Sequence, residues 1–238
     1  MQMTPQENFK FVCSFNEHIG PIIRKNKGFI NQYLGDAIMA IFPGDAGDAL
    51  CAGIEMQQAV SELNRVRALS KLPLIRIGVG MHTGPLIMGI TGDQDRLDAT
   101  TIADTVNTAS RLESLTKFYK VDILLSEASV NNLIDSNAFH LRNLGHVQLK
   151  GKVEATKIIE CFNGSDELHI KLKTLPFFKQ GLKDYFNRSF SDASAQFHKV
   201  LEIHPGDSTA KLFLNKASEN RTREIPESWT GLEEMLSK

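Results

Sequence analysis

The stretch NQYLGDAIMAIF, Asn31 to Phe42, sets two apolar, β-prone runs on either side of Gly35-Asp36. That pattern predicts a hairpin with the Gly-Asp pair at its tip, strands at about 29–34 and 37–42. Asp is a turn former in its own right. A hairpin tip also carries the Asp36 carboxylate clear of the sheet, where it can meet a metal ion. Gly35 beside it lets a ligand come close to the backbone. Read alone, the stretch leaves both roles open.

The chain upstream of the hairpin is helical in pattern. Thr4 can cap, Pro5 suits a first turn and Glu7 can complete a capping box. Phe9, Val12, Phe15, Ile19 and Ile22 or Ile23 follow at helical spacing, and Gly28 ends the run. Downstream, a second helix is expected from Asp45 to Ala68, with Leu50, Ile54, Val60 and Leu63 inward. Strands are expected at 74–82 and 86–90. TGDQDRLDATT reads as an exposed loop. A helix at 104–118, a strand at 121–125, a short helix at 127–134 and strands at 146–149 and 156–162 complete the pattern. Such alternation implies an α+β or α/β sandwich.

After Asn163-Gly164-Ser165 the periodicity becomes helical only. Phe177, Gly181, Phe190, Ala193, Phe197, Val200 and Pro205 match one tetratricopeptide (TPR) repeat of about 34 residues. A lone repeat cannot bury its own face, so it is expected to dock on the preceding domain or on a partner. The tail 221–238, with Trp229, reads as a packing strap. The expected division is 1–163, a linker at 164–174, TPR-like helices at 175–220 and the tail.

Composition narrows the function classes. Of 238 residues, 42% are hydrophobic and 23% charged, and the formal net charge is -1. No basic field argues for nucleic acid. Three cysteines, far apart, fit a reducing compartment and give neither a disulfide framework nor a zinc site. No apolar run reaches the ~18 residues of a membrane span. The expectation is a cytoplasmic domain without membrane contact of its own.

Other residues could carry chemistry. Asn107 and Arg111 in TIADTVNTASRLESL are four apart, hence on one helical face beside a stripe of Ile102, Val106, Ala109 and Leu112. Both donate hydrogen bonds, and Arg can meet phosphate oxygens bidentately. The same spacing also suits a solvated face with a surface ion pair to Glu113 or a neighbour. Lys150 and Lys152 flank Gly151 ahead of the last strand and could reach a triphosphate, although basic turns are common. The glycines of GVGMHTGPLIMGITG do not form a P-loop and read as strand-end and hairpin glycines. His82 reads as a half-buried strand-end residue rather than a base.

Together, Gly28-Phe29-Ile30, YLGDAIMAIF, IRIGVGMHTGPLIMGITG, ADTVNTASRLESL and LKGK resemble the class III nucleotidyl cyclase catalytic domain, in family order over about residues 4 to 163. The resemblance implies an α+β, ferredoxin-like βαββαβ-type sandwich. Here it would lack the family's first strand, which carries the first metal aspartate, so a fragment, a misplaced start or a degenerate protein is expected. It also implies conversion of ATP to 3′,5′-cyclic AMP and pyrophosphate with Mg²⁺ or Mn²⁺. Asp36 then matches a metal aspartate, Asn107 the ribose-orienting asparagine and Arg111 the arginine facing the transferring phosphate. Lys152, or else Lys150, matches the triphosphate lysine. Gln32 falls where an adenine-selecting lysine stands, and Thr100 at its partner position. The family's site spans a head-to-tail dimer, so a homodimer or a heterodimer with another cyclase domain is implied. The alternative is a non-catalytic cyclase-homology module that partners a complete cyclase.

Overall fold

The computed structural model describes residues 4–93, 97–150, 154–227 and 229–235, with backbone alone at 97–100, 102, 234 and 235. The chain divides into two compact units, residues 1–77 with 132–136, and residues 78–131 with 137–238.

The first unit begins with helix α1, Pro5–Lys25. Its capping box forms as the sequence predicts: Thr4 Oγ1 accepts from Glu7 N and Glu7 Oε2 accepts from Thr4 N. Ile19 and Ile23 are buried, whereas Phe9 is 70% exposed. Strands β1 (Phe29–Leu34) and β2 (Ala37–Ile41) pair antiparallel as the expected hairpin. The register slips between Ile30 and Gln32, the mark of a β-bulge. Helix α2 spans Ala46–Leu69 and buries Leu50 and Val60.

The expected strand at 74–82 forms over only three residues. α2 takes the backbone groups that a strand would need. Asn64 accepts from Ile75 N at 2.8 Å and donates to Ile75 O at 2.8 Å, and Gln57 donates to Ile77 O at 3.0 Å. Side-chain amides thus satisfy this segment where a ladder would otherwise be required.

The second unit holds the remaining strand, β3 (Val79–Met81), then β4 (Ile87–Gly92), β5 (Leu97–Ile102) and helix α3 (Asp104–Tyr119). Strand β6 (Ile123–Ser126), helix α4 (Glu127–Asn131), and strands β7 (Leu141–Leu149) and β8 (Thr156–Cys161) follow. Of the segment expected as an exposed loop, 91–92 belong to β4, 97–101 belong to β5 and 94–96 lie outside the described residues; the two strands pair antiparallel from Gly92↔Leu97 to Ile87↔Ile102. The β-branched Thr100, Thr101 and Ile102 of β5 favour the strand.

Helices α5 (Leu168–Phe186), α6 (Phe190–Ile203) and α7 (Ser208–Thr222) follow, and the tail ends in strand β9 (Glu233–Met235). α5 starts inside the stretch read as a linker, where Lys171 and Thr174 are buried. The main sheet runs β3-β6-β8-β7-β9, with β3-β6 and β7-β9 parallel and the other pairs antiparallel. The architecture is α+β, as the sequence predicts.

The helices share one core with that sheet. Leu112, Leu115 and Tyr119 of α3, Leu124 of β6, and Val147 and Leu149 of β7 pack with Phe178, Phe197 and Phe213 of α5, α6 and α7. Gly181 makes the α5–α6 approach possible, since a Cβ there would stand 3.0 Å from the Phe197 ring. Among the described residues, no helix is long and apolar enough to cross a membrane.

Candidate functional site

Asp36 occupies the hairpin tip. Leu34 pairs with Ala37, so Gly35 and Asp36 are the two loop residues. Gly35 has φ +67°, as a type II′ turn demands of its first loop residue. The space beside Gly35 is open: a Cβ there would meet nothing within 4 Å. Asp36 is exposed, and so is Gln32 on β1 just after the bulge. Both lie in the first unit.

Asn107, Arg111 and Lys150 lie in the second unit. Asn107 is exposed and Arg111 half-buried, one turn apart on α3. Among the described residues Arg111 and Glu113 form no ion pair, and Glu113 accepts from Ser114 Oγ at 3.4 Å. The buried stripe of α3 is Thr108, Leu112, Leu115, Thr116 and Tyr119 rather than Val106 and Ala109, which are only half-buried. The stripe is rotated because α3 lies almost directly on β3. A Cβ on Gly80 would stand 2.1 Å from Glu113 N and 2.4 Å from Ala109 O, and one on Gly78 would stand 2.1 Å from Thr116 Oγ1. Gly78 immediately precedes β3 and Gly80 lies within it, and both are also contact points for α3. They set the height of α3 over the sheet.

The start of α3 is tied down as well. Thr105 Oγ1 donates to Pro85 O at 2.7 Å, and Gly84 leaves room for Thr105. His82 is half-buried at the end of β3 and bonds Ser126 Oγ through Nδ1 at 2.7 Å. Ser126 and Thr83 both reach Ser129 Oγ, at 3.4 and 3.2 Å. This chain of hydroxyls joins the ends of β3 and β6.

Lys150 is exposed immediately after β7. Lys152 lies outside the described residues. Thr100 is on β5 opposite Gly89, and its side chain is not described.

A buried polar cluster escaped sequence reasoning. Arg142 of β7 donates to Glu160 of β8 at 2.6 Å and to Asp207, the N-cap of α7, at 2.6 Å. Lys171 of α5 donates to the other Glu160 oxygen at 2.9 Å. Arg142, Glu160 and Asp207 are 1, 1 and 2% exposed. The guanidinium also lies 4.2 Å from the centre of the Phe178 ring. Burial alone would push the Asp207 carboxyl up; Arg142 and the Ala210 amide together hold it below the ordinary carboxylate range. Two cations and two anions balance, so no charge is left uncompensated. The available signal was Glu160 within the apolar run KIIECF.

Among the described residues no group of three His, Cys, Asp or Glu could hold a metal ion. Asp36 still suits one coordination position. It is an exposed hard oxygen donor, and Mg²⁺ is commonly held by one or two carboxylates completed by substrate phosphates.

The parallel-antiparallel sheet under α3, with a carboxylate-tipped hairpin in the other unit, defines a nucleotidyl-cyclase-like α+β domain. The Adenylate and Guanylate cyclase catalytic domain family matches residues 1–162. The chain belongs to that family. An adenylate cyclase of Anabaena cylindrica is 43% identical over 164 residues, 66% of this chain and 33% of that protein. The terminal-differentiation specific adenylate cyclase of Dictyostelium discoideum is 33% identical over 208 residues, 84% of this chain and 10% of that protein. That match is longer than residues 1–162 could supply, so part of the helical extension is shared too. The crystal structure of the adenylyl cyclase CyaB from P. aeruginosa has the same fold, with a TM-score of 0.58 and 23% identity over 67% of this chain and 84% of that one. The chain spans about a third and a tenth of the two curated relatives.

Proposed function

We propose that this chain is the catalytic domain of an adenylate cyclase, converting ATP to 3′,5′-cyclic AMP and pyrophosphate within a dimer of cyclase domains. The observation that carries the reading is α3. It presents Asn107 and Arg111 one turn apart, on a helix held at fixed height by Gly78 and Gly80. The 43% identity to an adenylate cyclase supports ATP as substrate.

In this reading Asn107 donates to the ribose and orients its 3′-oxygen for attack on the α-phosphate. Arg111 meets the charge that develops on the transferring phosphate, where a fixed donor is most effective. Lys152, or else Lys150, holds the triphosphate tail. Gln32 and Thr100 face the base; an amide both donates and accepts, so it can read the adenine edge. Asp36, with the triphosphate oxygens, would hold Mg²⁺ or Mn²⁺, which lowers the cost of the alkoxide and of the phosphate charge. In a head-to-tail dimer Asp36 of one protomer would serve Asn107 and Arg111 of the other.

A second reading is a cyclase-homology module that dimerises with a complete cyclase. The glutamine at position 32, where the family's adenine-selecting lysine stands, favours it. One experiment addresses both. The protein is assayed for cyclic AMP with Mg²⁺ or Mn²⁺, with Asp36→Ala alongside. Loss of activity in the variant at unchanged stability supports the enzyme; full activity removes Asp36 from the metal site. No turnover by the native protein, but a change in the activity of an added cyclase, supports the module.

A further inference from the structure

The tail is built onto the end of β7 from which Lys150 leaves. β9 adds to the sheet in parallel with β7, its backbone in register Val147↔Glu233, Gln148↔Glu234 and Leu149↔Met235. Among the described residues the last pair is Leu149 with Met235, immediately before Lys150. Without β9, this edge of β7 would carry unpaired backbone groups.

A single side chain gathers the tail. Arg188, in the turn between α5 and α6, donates through one nitrogen to Pro226 O at 3.0 Å, to Trp229 O at 2.8 Å and to Glu227 O. Its guanidinium also lies 5.7 Å from the Trp229 ring centre. Trp229 meets Tyr185 and Phe190 edge-on at 5.5 and 5.4 Å. Gly231 has φ +72° and leaves no space for a Cβ, which would stand 2.6 Å from the Phe186 ring. Glu233 is paired with Lys216 of α7 at 2.7 Å. The strap is thus fastened at Arg188, wedged at Trp229 and delivered at Gly231 to the edge of β7.

We infer that Arg188 is a positioning residue for nucleotide binding: by fastening the strap it holds the end of β7 and so aims Lys150 at the triphosphate. The inference rests on the triphosphate role proposed for the lysines. Arg188 itself touches no substrate. Its position on the surface, away from the shared core, lets it be changed without emptying that core.

The test uses the full chain with Arg188→Gln and Trp229→Ala, and Arg188→Lys as the conservative variant. Hydrogen exchange is followed at the amides of 147–150, and affinity is measured for fluorescent ATP and fluorescent AMP. Loosening the strap speeds exchange at 147–150 and weakens ATP by about fivefold while leaving AMP nearly unchanged. Arg188→Lys recovers part of the loss. A merely structural role would lower stability but leave the ATP-to-AMP ratio where it was. The Lys150→Ala/Lys152→Ala variant separates the two ideas. If it leaves ATP affinity intact, the triphosphate role fails, and this inference with it. If it weakens ATP but Arg188→Gln does not, the strap role alone is overturned. Unchanged exchange at 147–150 in both strap variants also overturns it, whatever the nucleotide does.

Discussion

The two halves of α3 face different worlds. The N-terminal half presents Asn107 to solvent and Arg111 half-exposed. The C-terminal half puts Leu112, Leu115 and Tyr119 into the core shared with α5, α6 and α7. Thr209 of α7 donates to Tyr119 O at 2.8 Å, and burial pushes the Tyr119 phenol well above its ordinary range. One helix is therefore anchored at its C-terminal end by the helical extension, while its N-terminal half carries the residues of the proposed site at or near the surface. The difference teaches that the extension is not a detachable repeat. It completes the core that holds α3.

The strongest way to break this picture is to attack the anchor. Arg142→Met leaves Glu160 and Asp207 buried with only Lys171 opposing them. Unfolding by denaturant should show a loss of about 3–5 kcal/mol, the cost of breaking a buried pair from one side. A loss below about 1 kcal/mol would mean that the cluster does not fasten the extension. The same cluster gives a pH signature. Asp207 titrates lower in the folded chain than unfolded, so its contribution is complete above about pH 4 and is lost as pH falls through the folded value. Acid should therefore weaken the native chain more steeply than Asp207→Asn.

The free half should respond in the opposite manner. Arg111→Ala is expected to lower cyclic AMP formation by about 10²–10³-fold, the size of a lost charge-stabilising donor. Its stability should stay within about 0.5 kcal/mol of native, as for a surface change. Equal losses in both measurements would erase the distinction between the halves.

Gly80→Ala sharpens the comparison, because its Cβ would press on the α3 backbone between the halves. About 1–3 kcal/mol of stability should go, with turnover falling alongside, as the helix is pushed off the sheet. A variant that loses stability but keeps full turnover would show that helix height does not matter to the site.

Much of the fold was legible because its signals are local. The capping box at Thr4, the Gly35-Asp36 turn and the 3.6-residue periods of α2, α3 and α5–α7 rest on neighbours within a few residues. The misreadings came where distant groups intervene. Residues 74–77 alternate well enough for a strand, but Asn64 and Gln57 take their backbone bonds. β5 looked like a polar loop until its partner β4 paired with it. The expected stripe on α3 was turned by the close approach of Gly80, which no window of sequence contains.

The candidate residues show the same division. Gln32, Asp36, Thr100, Asn107, Arg111, Lys150 and Lys152 were all nameable from motif order, since their spacing along the chain is what the family shares. The sequence alone also settled the family, because five motifs in order are one-dimensional information. Only the tertiary structure brought Arg142, Glu160, Lys171 and Asp207 together, and only it laid β9 against β7 beside Lys150. Arg142 and Asp207 are 65 residues apart along the chain, and the buried bond from Thr209 to Tyr119 joins groups 90 apart. Such pairings are decided when the core closes, not by the periodicity of any one segment.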